Sequence, residues 1–217
     1  MFVGLKMLRD FETVTPQTLV KDAQKILEES KLWMLLVEDG DDLVGYVRKE
    51  DITGALPSMV TSLEKHEISF LMSKLTIAEI LRTDIKKVAP ETEIEAAADM
   101  MHEMNLAGLA VVDENDGLIG YINRSVMLDV LVEGMGYREG GSRVAMEVED
   151  RPGMLYEAAG IIANLKFSII SASTFLSGDS RLLVFRIAAD DTAPVVEALA
   201  GRGFKLVDSS DFQENWR

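Results

Sequence analysis

The sequence predicts an α/β (α+β) protein: two tandem β-α-β-β-α units, then a β-α-β-β-α-β module of another kind. Three observations carry this expectation. Thr13–Leu56 recurs as Lys87–Leu131, a glycine-rich stretch follows at Gly134–Ser142, and the remaining residues have a strand and helix order of their own.

The repeat is read by laying TVTPQTLVKDAQKILEESKLWMLLVEDGDDLVGYVRKEDITGAL on KVAPETEIEAAADMMHEMNLAGLAVVDENDGLIGYINRSVMLDVL. Pro16 falls on Pro90, Ala23 on Ala97, Val37 on Val111, and Gly45-Tyr46 on Gly120-Tyr121, with one residue of drift in the acidic turn. In each copy a short strand ends at the proline, and a helix opens at a threonine with acidic residues in its first turn. Ala23, Ile26 and Leu27, matched by Ala97, Met100 and Met101, give that helix its apolar face. A buried strand follows (MLLV or LAVV), then an Asp/Gly-rich hairpin turn, a second strand (LVGYV or LIGYI) and a closing helix. One such unit leaves an apolar sheet face bare, so the two copies are expected to pack face to face.

Pro57–Leu81, between the copies, reads as mostly helical, with Ile68, Leu71, Met72 and Leu75 at helical spacing. Gly134–Ser142 holds four glycines and reads as a linker. Beyond it, Arg143–Glu149 alternates like a strand and Asp150-Arg151-Pro152-Gly153 opens a helix. Ile169–Phe175 and Arg181–Ile187 read as strands, Ala193–Arg202 as a helix and Lys205–Ser209 as a last strand. That order is the ferredoxin-like arrangement. The expected organisation is therefore a tandem module over 1–133, with repeats at about 1–56 and 77–132, a linker at 134–142 and a separate domain at 143–217.

Composition narrows the function. The 217 residues are 47% hydrophobic, enough for ordinary cores, and contain no cysteine, which excludes disulfides, thiolate metal sites and a cysteine nucleophile. His66 and His102 lie far apart without ligand spacing, so no metal site is expected. The net charge of −15 repels phosphate backbones and anionic lipid, so neither nucleic acid nor membrane is an expected partner. No apolar run approaches the ~18 residues of a membrane span, and a cytoplasmic location is expected. G-x-S-x-G, G-x-x-x-x-G-K-[ST] and G-x-G-x-x-G are all absent, and no catalytic constellation remains.

A Pro-terminated strand followed by LAVVDENDGLIGYI resembles the CBS motif, which works in tandem pairs called Bateman modules. VEDRPGMLYEAAGIIANLKFSIISAS resembles an ACT domain, a module of amino-acid-sensing regulators. With LPSMVTSLEKHEISFLMSKLTIAEIL and REGGSRVAMEVEDRPG, nearly the whole chain resembles the acetoin utilization protein family of CBS–ACT proteins.

In nucleotide-binding CBS pairs, an Asp just inside the last helix holds the ribose hydroxyls, and a Ser or Thr three residues earlier contacts phosphate. The resemblance puts Asp51 at the ribose position and Arg48 at the phosphate position of repeat one. Thr83, Asp84 and Ile85 would complete the site, and Met34 and Leu35 would line the adenine pocket. The plainer reading is that Asp51 caps a helix and Arg48 is a surface charge. Repeat two departs from the pattern, with Val126 in the Asp place and Asn123 in the Thr place, and a valine accepts no hydrogen bond. The implied ligands are AMP, ADP, ATP or S-adenosylmethionine, with ATP disfavoured by the acidic surroundings.

For the ACT half, the resemblance places an amino acid at the turn after the first strand. Backbone amides of Gly153, Met154 and Leu155 would receive its carboxylate and Asp150 its amino group. The family's Gly-x-Asn-Ile is Lys166-Phe167-Ser168-Ile169 here, leaving Ser168 at that place. Otherwise the turn is only a helix start, with Asp capping and Pro beginning. The expectation is a non-catalytic regulator, a homodimer or higher homo-oligomer that modulates a metabolic enzyme. A ligand-free dimerising scaffold is the alternative.

Overall fold

The computed structural model describes residues 1–30, 32–55, 70 and 73–216. Their contacts divide into two compact units, Met1–Leu128 and Asp129–Arg217. His66, Ile68, Leu71 and Met72 lie outside the described residues.

The first unit holds the two repeats. Repeat one runs β1 (Thr13–Val14), α1 (Val20–Ser30), β2 (Met34–Asp39), β3 (Asp42–Arg48) and α2 (Lys49–Ala55). Repeat two runs β4 (Lys87–Val88), α3 (Ile94–Glu103), β5 (Gly108–Val112), β6 (Leu118–Asn123) and α4 (Arg124–Gly134), whose last residues belong to the second unit. Each builds a three-stranded sheet in which the first pair is parallel and the second antiparallel. The mixed α+β architecture is as the repeat predicts.

MLLV is continuously apolar because both of its faces are buried, and side chains alternate along a strand. Leu35 and Val37 turn toward α1 and α2, into a core with Val14, Val20, Ala23, Leu27, Val47 and Ile52. Met34 and Leu36 turn the other way, into a layer shared with Ala110 and Tyr121 of repeat two. The face-to-face packing is thus real, and every strand residue from Met34 to Val37 is at most 2% exposed.

The repeats also exchange their leading segments. Val3–Leu5 and Ile77–Glu79 are matching 3-10 turns. The first seats on repeat two, where Val3 donates to the Thr92 carbonyl (2.9 Å), Gly4 to Pro90 (2.8 Å) and Ile94 to Met1 (3.0 Å). The second seats on repeat one through Ile77 to Thr18 (2.9 Å), Ala78 to Pro16 (2.8 Å) and Val20 to Leu75 (2.9 Å). Leu75 packs on the repeat-one core, but the described residues from 73 to 81 are not α-helical, contrary to the helical reading of the segment. Thr76 and Glu79 form a capping box that starts a single turn, and the backbone then extends to reach β3.

That crossing explains the doubled Gly-Tyr. Tyr46 and Arg82 exchange backbone hydrogen bonds (2.9 and 3.0 Å), as Tyr121 and Leu8 do (3.0 and 2.8 Å). A Cβ on Gly45 would stand 2.1 Å from the Arg82 carbonyl oxygen, and one on Gly120 2.4 Å from the Met7 sulfur. Backbone approach requires glycine at Gly45, whereas at Gly120 the neighbour is the flexible Met7 side chain, and a Cβ would have to displace it.

The second unit is a four-stranded antiparallel sheet, order β10-β7-β9-β8, from β7 (Ser142–Glu149), β8 (Ile169–Ser177), β9 (Ser180–Ile187) and β10 (Lys205–Leu206). Helices α5 (Met154–Asn164) and α6 (Ala193–Gly201) bury Ala158, Ile162, Val195 and Leu199 against Met146, Leu183 and Phe185 on one face. This is the β-α-β-β-α-β order expected. The last strand is shorter than Lys205–Ser209, because Asp208 accepts hydrogen bonds from Ser210 and turns the chain. Phe212 then packs over Ala145, Val184 and Val207 on the other face. The glycine-rich segment is fastened down. The Met135 carbonyl accepts from Ser171 Oγ (2.8 Å), and Arg186 donates to the Gly140 and Gly141 carbonyls (3.2 and 3.1 Å).

Because Val3 fills repeat two, Val3→Ala should cost about 2 kcal/mol from two lost carbons and the cavity they leave. Hydrogen exchange should then quicken in β5, β6 and α3 before it quickens in β2 and β3. Equal quickening in both repeats would contradict the exchange of leaders.

Candidate functional site

Two places gather the polar side chains singled out in the sequence. The first lies where the leader before β4 crosses β3 and α2 begins. Asp51, in the first turn of α2, accepts a hydrogen bond from the Arg48 backbone N–H (3.1 Å) through Oδ2. The Arg82 guanidinium meets the same carboxylate as a fork, Nε to Oδ2 at 2.8 Å and Nη2 to Oδ1 at 2.6 Å. Arg48 adds Nε at 3.2 Å and Nη2 at 3.4 Å, and its Nη1 pairs with Glu50 at 2.8 Å. Hydrogen bonds from Arg82 hold the Asp51 carboxyl far below the usual carboxylate range, against the opposing effect of burial, and Arg48 adds to the depression.

Tyr46 closes the cluster from below. Its ring is buried, and burial raises its pKa, as does the charge of the nearby Asp84 carboxylate. The structure therefore brings Arg48, Asp51 and Asp84 together. Thr83 is exposed beside them, Ile85 packs into the layer between the repeats, and Met34 faces that same layer. The two expected pocket residues are both buried. Strand alternation turns Leu35 into the repeat-one core and Met34 into the layer between the repeats, so neither lines an open cleft.

Arg82 and Tyr46 were not singled out in the sequence. The signal for Arg82 lay in the repeat itself. Leu8 stands at the position matching Arg82, as Val126 does for Asp51, so repeat two exchanges a charged pair for an apolar one. Asn123 there caps its helix instead, accepting the Val126 N–H at 3.0 Å. The Tyr121 hydroxyl, matching that of Tyr46, is buried without a hydrogen-bond partner among the described residues.

The second place is a cavity of about 390 Å³ in the other unit, lined by Asp150, Pro152, Gly153, Leu155, Thr174 and Arg181 among others. Helix α5 starts at Met154, one residue past the proline and its glycine, and Gly153 takes a left-handed φ of 92°. No side chain caps α5. Asp150 does not cap it, because its carboxylate pairs with Arg181 at 2.7 Å. Gly153, Met154 and Leu155 thus line the cavity beside an unmasked helix N-terminus. Ser168 is not brought there. It precedes β8 at the Ser142–Ile187 end of the sheet, whereas Glu149 pairs with Ser180 at the other end. Thr174 and Arg181 were missed because only the sheet register sets them beside the turn.

Comparison with known proteins agrees with this architecture. The CBS domain model matches residues 3–58 and 77–133, more than half of the chain, and the ACT domain model matches 142–203. The chain is a CBS-domain protein with a C-terminal ACT domain. The CBS pair accounts for the likeness to solved structures. A Vibrio cholerae protein described as an acetoin utilization protein is 23% identical, with a TM-score of 0.53 over 65% of this chain and 98% of its own. CBSX2, a CBS-pair protein of Arabidopsis thaliana, is 27% identical, with a TM-score of 0.50 over 64% and 98%. CBSX2 in complex with AMP is 29% identical, with a TM-score of 0.50 over 61% and 97%.

Among curated proteins, an uncharacterized protein of Methanocaldococcus jannaschii is 23% identical over 129 residues, 59% of this chain and 39% of that protein. Inosine-5'-monophosphate dehydrogenase of Thermoplasma acidophilum is 22% identical over 116 residues, 54% of this chain and 21% of the enzyme. The match spans well under half the length of these two relatives. Among the described residues, no helix is long and apolar enough to cross a membrane.

The depressed Asp51 pKa makes a stability prediction. A carboxylate whose folded pKa lies below its unfolded value of about 3.9 contributes stability that is full above that value and lost as pH falls through the folded pKa. Denaturant melts should therefore show a stability loss below about pH 4 that Asp51→Asn flattens. An unchanged acid profile in Asp51→Asn would contradict the pairing. The two tyrosines give a second contrast. Tyr46→Phe should cost about 1 kcal/mol, while Tyr121→Phe, which removes a hydroxyl with no hydrogen-bond partner among the described residues, should be neutral or stabilising in the same melts.

Proposed function

We propose that the chain is a non-catalytic regulator whose CBS pair senses an adenine nucleotide or adenosyl compound, one molecule per chain, on the Asp51 side. The observation that carries this reading is the asymmetry of the two repeats. Asp51, Arg48 and Arg82 converge in one half of the module, with Thr83 exposed beside them. The matching Leu8, Asn123 and Val126 offer the other half a single side-chain acceptor, already spent on a helix cap. A carboxylate suits a ribose diol and guanidinium groups suit a phosphate. The AMP complex of CBSX2 supports the ligand class.

The ACT cavity is a second ligand position. Arg181 suits the carboxylate of an amino acid and Asp150 its ammonium group, and the α5 amides add a second anion subsite. Among the described residues strand β8 pairs on one side only, with Phe175 and Leu176 exposed, and this edge supports association into a homodimer. The regulated partner is a metabolic enzyme, with acetoin utilization the pathway that the resemblance suggests.

Titration calorimetry of the full chain with AMP, ADP, ATP and S-adenosylmethionine tests the nucleotide reading. One site per chain is expected, abolished in Asp51→Ala. At about a hundred times its dissociation constant the ligand should add about 2.7 kcal/mol to stability. Two sites per chain, binding that survives Asp51→Ala, or no binding at all would overturn it. The last result would favour a ligand-free scaffold.

A further inference from the structure

We propose that Arg82 selects the ligand of this half-cleft: it occupies the ribose-binding carboxylate and yields it only to a ligand whose phosphate can receive the guanidinium. The inference rests on the nucleotide reading above and narrows it to an adenosine monophosphate, against uncharged or cationic adenosyl compounds.

The acceptor capacity of Asp51 is already filled. A carboxylate offers about four lone-pair positions. Asp51 already receives Arg82 Nε and Nη2 at 2.8 and 2.6 Å, the Arg48 backbone N–H at 3.1 Å, and Arg48 Nε and Nη2 at 3.2 and 3.4 Å. A ribose diol therefore has to displace a donor. The backbone N–H is fixed at the start of α2, and Arg48 is tied to Glu50 as well. Arg82 is the donor that can leave. Its backbone is pinned to Tyr46 by two hydrogen bonds, but its side chain is 40% exposed. It swings from a fixed base.

Displacement exchanges a charge-assisted fork for two neutral hydroxyl bonds, which is a loss unless Arg82 meets another anion. A phosphate attached to the same ribose supplies that anion. Adenosine and methylthioadenosine bring none, and S-adenosylmethionine brings a single carboxylate beyond its sulfonium and beside its ammonium, with a net positive charge. The charge of the cluster limits the phosphate in turn. Asp51, Glu50 and Asp84 against Arg48 and Arg82 leave an excess of one negative charge, so each further phosphate beyond the first meets growing repulsion. Repeat two supplies an internal control. Where the carboxylate is Val126, the arginine is Leu8, so the two residues change as a pair.

Calorimetry with AMP, adenosine and S-adenosylmethionine on the full chain, wild type and Arg82→Leu, tests this. The wild type should prefer AMP to adenosine by about tenfold or more. In Arg82→Leu, AMP should weaken and adenosine should tighten, because Asp51 is released, so that the preference falls to about threefold or less. Arg82→Gln, which keeps a polar chain, should do the same if the leucine variant folds poorly. An unchanged preference in a folded variant sinks the role of Arg82 and leaves the nucleotide reading standing. A wild type that binds adenosine as well as AMP sinks it likewise. A wild type that binds neither removes the nucleotide reading and this inference with it.

Discussion

Each three-stranded sheet of the CBS pair has two apolar faces and only enough helix to cover one. That deficit is met by the other repeat, and the rest of the first unit depends on it. The second face is closed by the layer of Met34, Leu36, Tyr46, Ala110 and Tyr121. The edge beyond is closed by the leader of the opposite copy, whose Val3 or Ile77 is fully buried. Burial of this kind supplies most of the favourable free energy of folding. A half-module would expose a sheet face and lose a core residue.

The same exchange creates the candidate site. Arg82 reaches Asp51 because residues 73–82 belong by packing to repeat one, although by order they introduce repeat two. The backbone pair between Tyr46 and Arg82, made possible by Gly45, sets the base of the arginine. Asp84, two residues on in the same leader, lies close enough to Tyr46 for its charge to raise the phenol's pKa. A fold requirement thus delivers charged groups from distant positions to the start of α2. Those charges sit in an acidic protein, and the two guanidinium groups offset most, though not all, of the local carboxylate charge.

The ACT domain uses a different economy. Its sheet buries one face under two helices and the other in part under Phe212, and its turn after β7 leaves α5 without a side-chain cap. The uncapped helix start lies beside the Asp150–Arg181 pair, whose two charges satisfy each other. The glycine-rich approach to β7 is held by Arg186 and Ser171, so flexibility of composition did not translate into freedom of the backbone.

Periodicity determined the elements and the repeat, because side-chain alternation and helical spacing are local properties of the chain. Asp51 and Arg48 were legible only through the resemblance to the CBS motif, whose two positions lie three residues apart on one strand–helix junction. Sheet facing was not legible for Leu35, because a continuous apolar run does not say which residue faces which layer. Ser168 was placed by a motif position, and the antiparallel register carried it to the far end of the sheet. Arg82 and Arg181 each lie thirty or more residues from the carboxylates they meet. Their placement was decided by the leader crossing in one unit and by strand pairing in the other. Those are contacts between segments, and no local pattern encodes them.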